Sequence, residues 1–182
     1  MIYWLRYLTM STPDAIGEVW HTYQVTVNCL EVTLDDLRLG RFDSLQGTGF
    51  MDIPIDAVRR NIQASRETVD DHTILAMWAV FEQEMIAILE IEAHKMLGIA
   101  PSAFNQALLN KIEAGIERWR SDEMIDLFKP LFPVELIAYT KQIKRYRDWV
   151  AHRNIKKPSP KKVTPEFAYD ILAVALQQMR QS

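Results

Sequence analysis

The stretch RYRDWVAHR, residues 145–153, places an arginine, a carboxylate and a histidine within six residues of one another. Histidine can both take up and release a proton near neutral pH, so His152 is a candidate general acid or base. The guanidinium of Arg147 offers a planar fork of donors that fits phosphate oxygens and stabilises charge developing on phosphorus. Arg147, Asp148 and His152 are therefore the candidate catalytic residues, and the chemistry they suit is attack at a phosphodiester.

The helical spacing of these residues sets how they could meet. Asp148 and His152 are four residues apart, so they can touch, and the carboxylate could fix the imidazole tautomer and raise its pKa. Arg147 lies at the edge of the apolar stripe that runs from Ile143 to Val150, on a different side of the helix from His152. A second copy of the helix would bring the two groups together, which predicts a symmetric dimer through this helix.

The charge of the chain is unevenly distributed around this stretch. Residues 141–162 hold nine Lys or Arg and one acid, a local charge of +8, while the whole chain carries −3, so the rest carries −11. Such a strip predicts contact with a polyanion, with a solvated face or a flexible linker as the alternative. The residues expected to hold an RNA backbone are Arg145, Arg153, Lys156, Lys157, Lys161 and Lys162.

The spacing from Arg147 to His152 resembles the R-x4-6-H signature of HEPN-domain proteins, and Asp148 occupies the polar position that often follows the arginine. Trp78-x-x-Phe81-Glu82 is also similar to that family. The resemblance covers the last two-thirds of the chain. It implies a helical bundle that dimerises and cleaves RNA without a metal, as toxins and antiviral defence effectors do. Arg147 and His152 of both protomers would form the site, Asp148 would orient it, and an antitoxin protein is a candidate partner.

Several alternatives remain beside this interpretation. Arg66 and His72 also fit the motif, but Glu67 and the acidic TVDD run surround them. A non-catalytic HEPN-like dimer that binds RNA or nucleotides is the second functional class, and a DNA-binding regulator is the third. The region 133–153 shows no turn of the helix-turn-helix kind. Because His21, His72 and His94 lack a second ligand at metal spacing, the sequence predicts no metal, and it predicts no cofactor.

Apolar residues recur with a helical period, and no strand pattern of any strength appears, so we predict an all-α, antiparallel bundle of about five to seven helices. The first helix is expected to open at Thr12-Pro13 and end at Gly40. A glycine-rich loop and a short helix around residues 55–62 should follow. Asp70 or Asp71 is then expected to cap a long helix that stops at Gly98.

The second half of the chain is divided by prolines. Ser102 should open a helix that reaches Trp119, and a break at residues 129–133 should precede the helix that carries the motif. Prolines exclude a helix between Asn154 and Thr164. Thr164-Pro165 is expected to open a last helix, Glu166 to Met179.

Length and composition fit one domain over residues 1–182, with the motif region at 133–182 and the helices within residues 1–66 least firmly assigned to the core. Cys29 is the only cysteine, which excludes an internal disulfide, fits a reducing compartment and predicts a small buried side chain. The apolar start, MIYWLRYLTM, is too short to cross a membrane. A soluble, cytoplasmic protein with no membrane partner is therefore expected.

Overall fold

The computed structural model describes residues 14–97, 103–116, 118–152 and 158–181, and over these ranges the chain is an all-α bundle without strands. The fold class and the predicted number of helices are confirmed. The helices are α1 (Ala15–Arg38), α2 (Ile55–Leu97), α3 (Ala103–Ile116), α4 (Ser121–Leu127), α5 (Val134–His152) and α6 (Pro165–Gln181), with a 3-10 turn at Asp43–Leu45.

Helix α2 is the central element, and it contacts α1, α3, α5 and α6. Its apolar residues recur every three or four positions and therefore face the other helices. Six of them are completely buried, Val58 near the start of the helix and five in its middle: Ile74, Met77, Trp78, Phe81 and Met85. Burial of side chains of this size contributes roughly 1.5–3 kcal/mol each, which makes this segment the main source of the bundle's stability.

The prediction of a helix start at Asp70 or Asp71 is wrong, because α2 runs without interruption from Ile55 to Leu97. The two aspartates accept hydrogen bonds from other helices. Tyr23 of α1 donates its hydroxyl to Asp70 at 2.8 Å, and Tyr146 of α5 donates to Asp71 at 2.8 Å. Burial of Tyr23 is the largest cause that raises the pKa of its phenol, and the hydrogen bond to Asp70 is the next largest. These bonds orient α1 and α5 on α2.

Helix starts follow local capping chemistry. Asp14 caps α1 by accepting a hydrogen bond from the Gly17 backbone at 3.1 Å, whereas the predicted Thr12-Pro13 start lies outside the described residues. Thr164 caps α6 as predicted, since its hydroxyl accepts from the Phe167 backbone at 3.3 Å. Ser102, predicted to open α3, also lies outside the described residues.

The core consists of two clusters. The main cluster joins α2, α4, α5 and α6 with the start of α1, where Ile16 is 1% exposed. A smaller cluster lies between the end of α1, the following loop and the start of α2. Its buried members are Leu37, Leu45, Val58 and Ile62. The N-terminal helices thus belong to the core, although their distal parts pack separately from the motif helix.

The short helix α4 was not predicted, because the region before Pro130 reads only as a break. Cys29 is an exposed free thiol on α1, so the expectation that it is buried is wrong. Within the described ranges, no helix combines the length and the apolar character that a membrane span requires.

Candidate functional site

Helix α5 positions the predicted catalytic residues by burying one side. Its buried residues include Ile143, Tyr146 and Val150, so the stripe predicted from the helical period is confirmed. Thr140, the polar residue on this stripe, donates its hydroxyl to the Leu136 carbonyl at 2.8 Å. Packing of the stripe fixes the rotation of α5, and therefore the direction of every other side chain on it.

Arg147 lies at the edge of the stripe, and its guanidinium is held on three sides. Nη2 donates to Glu82 Oε2 at 3.2 Å, and Nη1 donates to Asp148 Oδ1 at 3.0 Å. The guanidinium carbon lies 5.3 Å from the centroid of the Trp78 ring, within the range of a cation–π contact. The side chain keeps 22% of its surface exposed, so one side of it faces solvent.

Glu82 connects three helices. Its Oε2 accepts from Arg147 of α5, and its Oε1 accepts a short hydrogen bond from the Ser121 hydroxyl at the start of α4. Beneath this pair, Trp78 is fully buried, and its indole N–H has no hydrogen-bond partner among the described residues. Glu82 is thus a fixed anchor for the guanidinium and joins α2, α4 and α5 at one point.

Asp148 bonds to cations on its own helix, which corrects the expected contact with His152. Its Oδ2 lies 2.9 Å from Lys144 Nζ, and its Oδ1 accepts from Arg147. Lys144 also lies 2.9 Å from Asp122 of α4. Burial lowers the pKa of Lys144, but the bonds to Asp148 and Asp122 outweigh it, so this pKa is raised.

His152 is the last residue of α5 and is exposed. No hydrogen bond joins it to any described residue. Arg147 and His152 lie on different sides of the helix, as the wheel predicted, so one copy of α5 does not bring them to one point. An imidazole at this position is accessible to a substrate and lies five residues from the anchored guanidinium.

The basic strip is less positive than its sequence suggests, because acids from other helices reach it. Lys141 forms an ion pair with Asp126 of α4, which also lies 3.0 Å from Lys129. The hydrogen bond from Lys141 lowers the pKa of Asp126 most, and the hydrogen bond from Lys129 lowers it further. Together with the Lys144 and Arg147 pairs, these contacts neutralise three of the nine cations counted in the strip.

Of the six residues predicted to bind an RNA backbone, the structure describes three. Arg145, Lys161 and Lys162 are exposed, and none forms an ion pair with another described residue. The buried Val163, 2% exposed, holds the segment that carries the two lysines against the bundle. Arg153, Lys156 and Lys157 lie outside the described residues.

In the competing motif pair, Arg66 also lies beside two carboxylates. Arg66 Nη1 lies 2.6 Å from Glu31, and its Nε lies 3.4 Å from Asp70. His94 bonds through Nδ1 to the Glu90 carbonyl at 2.9 Å. In the described ranges, no group of three or more His, Cys, Asp or Glu side chains is arranged to hold a metal ion.

Four carboxylate or hydroxyl side chains of the site were not predicted as site residues: Glu82, Ser121, Asp122 and Asp126. Asp122 and Asp126 are four residues apart, and Lys141 and Lys144 are three apart, so each pair occupies one side of its helix. That spacing could have indicated two matching charged faces. It could not show that the faces meet, because α4 itself was not predicted.

Comparison with protein-family models, with curated proteins and with solved structures finds no match to this chain.

Proposed function

We propose that this chain is a metal-independent endoribonuclease of the HEPN type, with a composite site where the α5 helices of two protomers meet. The observation that carries the proposal is the arrangement on α5. An anchored guanidinium at Arg147 is followed, one and a half turns later, by an accessible imidazole at His152. Exposed cations at Arg145, Lys161 and Lys162 are available to the backbone of a nucleic acid.

The chemistry follows from the two side chains. A neutral His152 imidazole accepts the proton of a ribose 2′-hydroxyl, whose oxygen attacks the adjacent phosphorus. Arg147 stabilises the charge that builds on the phosphoryl oxygens. The bond to the 5′-oxygen breaks, and the second protomer's histidine protonates that oxygen. The products are a 2′,3′-cyclic phosphate and a 5′-hydroxyl, and Asp148 orients the guanidinium rather than the imidazole.

The decisive experiment compares wild type with His152→Ala on total RNA in the presence of EDTA. Loss of general acid–base catalysis should lower the cleavage rate at least about 100-fold. His152 is exposed, so the variant should keep the helical circular dichroism and the unfolding midpoint of wild type. His72→Ala, the histidine of the competing motif pair, is the matched control and should cleave at the wild-type rate. Full activity of His152→Ala would remove the proposal.

One observation favours a second candidate, a non-catalytic HEPN-like dimer that binds RNA. Both terminal nitrogens of Arg147 already contact carboxylates, Glu82 and Asp148, so the guanidinium has fewer donors for a phosphate. If the chain is such a binding protein, wild type and Arg147→Ala should both bind RNA, and neither should cleave it.

The exposed lysines test RNA contact in either case. Replacing Lys161 and Lys162 by serine should weaken RNA binding. It should also reduce the slope of the logarithm of the RNA-binding constant against the logarithm of the salt concentration by about 1.4, because each phosphate contact on a single strand contributes about 0.7 to that slope. Lys111→Ser, an exposed lysine on α3, is the control and should leave that slope unchanged. Unchanged slopes in both variants would exclude the two lysines as backbone contacts.

The proposal includes a biological role: the chain would act on RNA in the cytoplasm, as a toxin or an antiviral effector. An antitoxin protein would be the partner that restrains it. The free Cys29 thiol fits a reducing compartment.

A further inference from the structure

The tryptophans of the described ranges differ in how far other side chains cover their rings. Trp78 is fully buried, and two tyrosine rings stack on Trp20 at 5.0 and 5.3 Å between ring centroids. Trp149 packs against the main cluster but stays partly exposed. Its ring contact with Tyr146 is tilted by 37° at 6.1 Å, so that ring does not stack on it. Trp149 therefore keeps ring surface that another flat group can cover.

Trp149 shares one side of α5 with two exposed residues of the predicted site. We call Arg145, Trp149 and His152 the α5 outer face, since steps of four and three residues place them on one side of the helix. Arg145 and His152 are both exposed. The indole is three residues, about 4.5 Å along the helix axis, from the imidazole that is proposed to act on the ribose.

The charge of the α5 outer face favours a polyanion. Arg145 forms no ion pair with another described residue. Asp148 is the only acid in residues 141–152, and its carboxylate is compensated by Lys144 and Arg147. Surfaces that combine cations with an open aromatic ring are typical of proteins that bind single-stranded nucleic acid, because the cations hold phosphates while bases stack on the ring.

We propose that the ring of Trp149 stacks on an unpaired base of the RNA, with Arg145 on a neighbouring phosphate and His152 at the ribose. The inference rests on the proposed function, because it takes RNA as the ligand of α5. It names the substrate class as single-stranded RNA, since the bases of a duplex already stack on their neighbours and only unpaired bases can be splayed onto a side chain. Every base has a π face, so the ring itself selects no sequence.

The first test is RNA binding in EDTA, measured by fluorescence anisotropy in the His152→Ala background so that the RNA stays intact. An unstructured single strand is compared with a duplex of equal length. Adding Trp149→Leu should weaken single-strand binding by about 5- to 150-fold, the loss expected for one stacked base, and leave duplex binding unchanged. Adding instead Trp119→Leu, at an exposed tryptophan outside α5, is the control and should change neither. Unchanged single-strand binding by the Trp149→Leu protein overturns the proposal.

A second variant separates stacking from packing, because Trp149 also contacts the main cluster. Trp149→Phe keeps a flat ring and should retain more single-strand binding than Trp149→Leu. Equal losses in the two variants, or an equal loss on duplex, would show a packing role and overturn the proposal. A halved mass of Trp149→Leu in light scattering, with RNA binding unchanged, would identify the ring as a contact between protomers and overturn it as well.

Failure of the stacking and failure of the nuclease proposal give different results. If His152→Ala cleaves like wild type while Trp149→Leu weakens single-strand binding, the nuclease proposal fails and the stacking stands. If His152→Ala abolishes cleavage and Trp149→Leu leaves single-strand binding unchanged, the stacking alone fails. Absence of single-strand binding in the His152→Ala parent protein also overturns the stacking.

Discussion

At the scale of single residues, the molecule is organised around carboxylates that each bind more than one partner. Glu82 accepts from Ser121 and Arg147, and Asp148 binds Lys144 and Arg147. An ion pair shielded from solvent is more costly to break than an exposed one, because the remaining charge loses its compensation. The anchoring of Arg147 therefore contributes to stability as well as to the candidate site.

Glu82→Gln tests this dual role. The substitution removes the charge opposite Arg147, whose side chain is only 22% exposed, and should lower the free energy of unfolding by about 1–3 kcal/mol. Glu84→Gln is the matched control on the same helix. Its partner Arg180 is 41% exposed, so the expected loss is about 0–1 kcal/mol. Urea unfolding measures both, and equal losses would contradict a special role for Glu82.

At the scale of elements, the sequence predicts what depends on neighbouring residues. Thr164-Pro165 opens α6 as expected, because capping is decided within one turn. The continuity of α2 was missed, since Asp70 and Asp71 are satisfied by tyrosines 47 and 75 residues away in the chain. The same limit applies to the site. The helical period placed Arg147 at the edge of the buried stripe, but its partner Glu82 lies 65 residues away.

The start of α1 gives an element-scale prediction. Glycine to alanine inside a helix usually stabilises it by up to about 1 kcal/mol. At Gly17, however, an added Cβ would lie 2.8 Å from Asp14 Cγ, so the capping side chain must shift and its hydrogen bond should weaken. Gly17→Ala should therefore be neutral or destabilising by about 1 kcal/mol in thermal unfolding.

Gly115→Ala on α3 is the control for that prediction. The nearest atom to an added Cβ there is Trp119 Nε1, at an ordinary contact distance of 3.6 Å. This variant should be stabilised. If Gly17→Ala were stabilised equally, the Asp14 cap would not contribute to folding.

At the scale of the whole molecule, the two hydrophobic clusters divide α2 into parts with different neighbours. The main cluster holds the segment of α2 that carries the buried Trp78 and the partly exposed Glu82. The smaller cluster holds the end of α1, the loop that follows it and the start of α2. Local opening follows the boundaries of such packed units, so the two ends of α2 should differ in protection from hydrogen exchange.

Two isoleucines of α2 test that division. Ile74 is 0% exposed in the main cluster, and Ile62 is 3% exposed in the smaller one. Ile74→Ala should lower global stability by about 2–5 kcal/mol and increase exchange at amides throughout the bundle. Ile62→Ala should increase exchange mainly near the ends of α1 and α2 that meet there. Equal effects across all amides in both variants would show one cooperative unit.

The length of α2 has a consequence for the behaviour of the protein in solution. At 1.5 Å per residue its 43 residues extend about 65 Å, whereas a compact chain of this size has a radius of gyration of about 16 Å. Friction on such a rod is larger than on a sphere of equal volume. The chain should therefore diffuse more slowly than globular standards of its mass, and its rotation should be anisotropic.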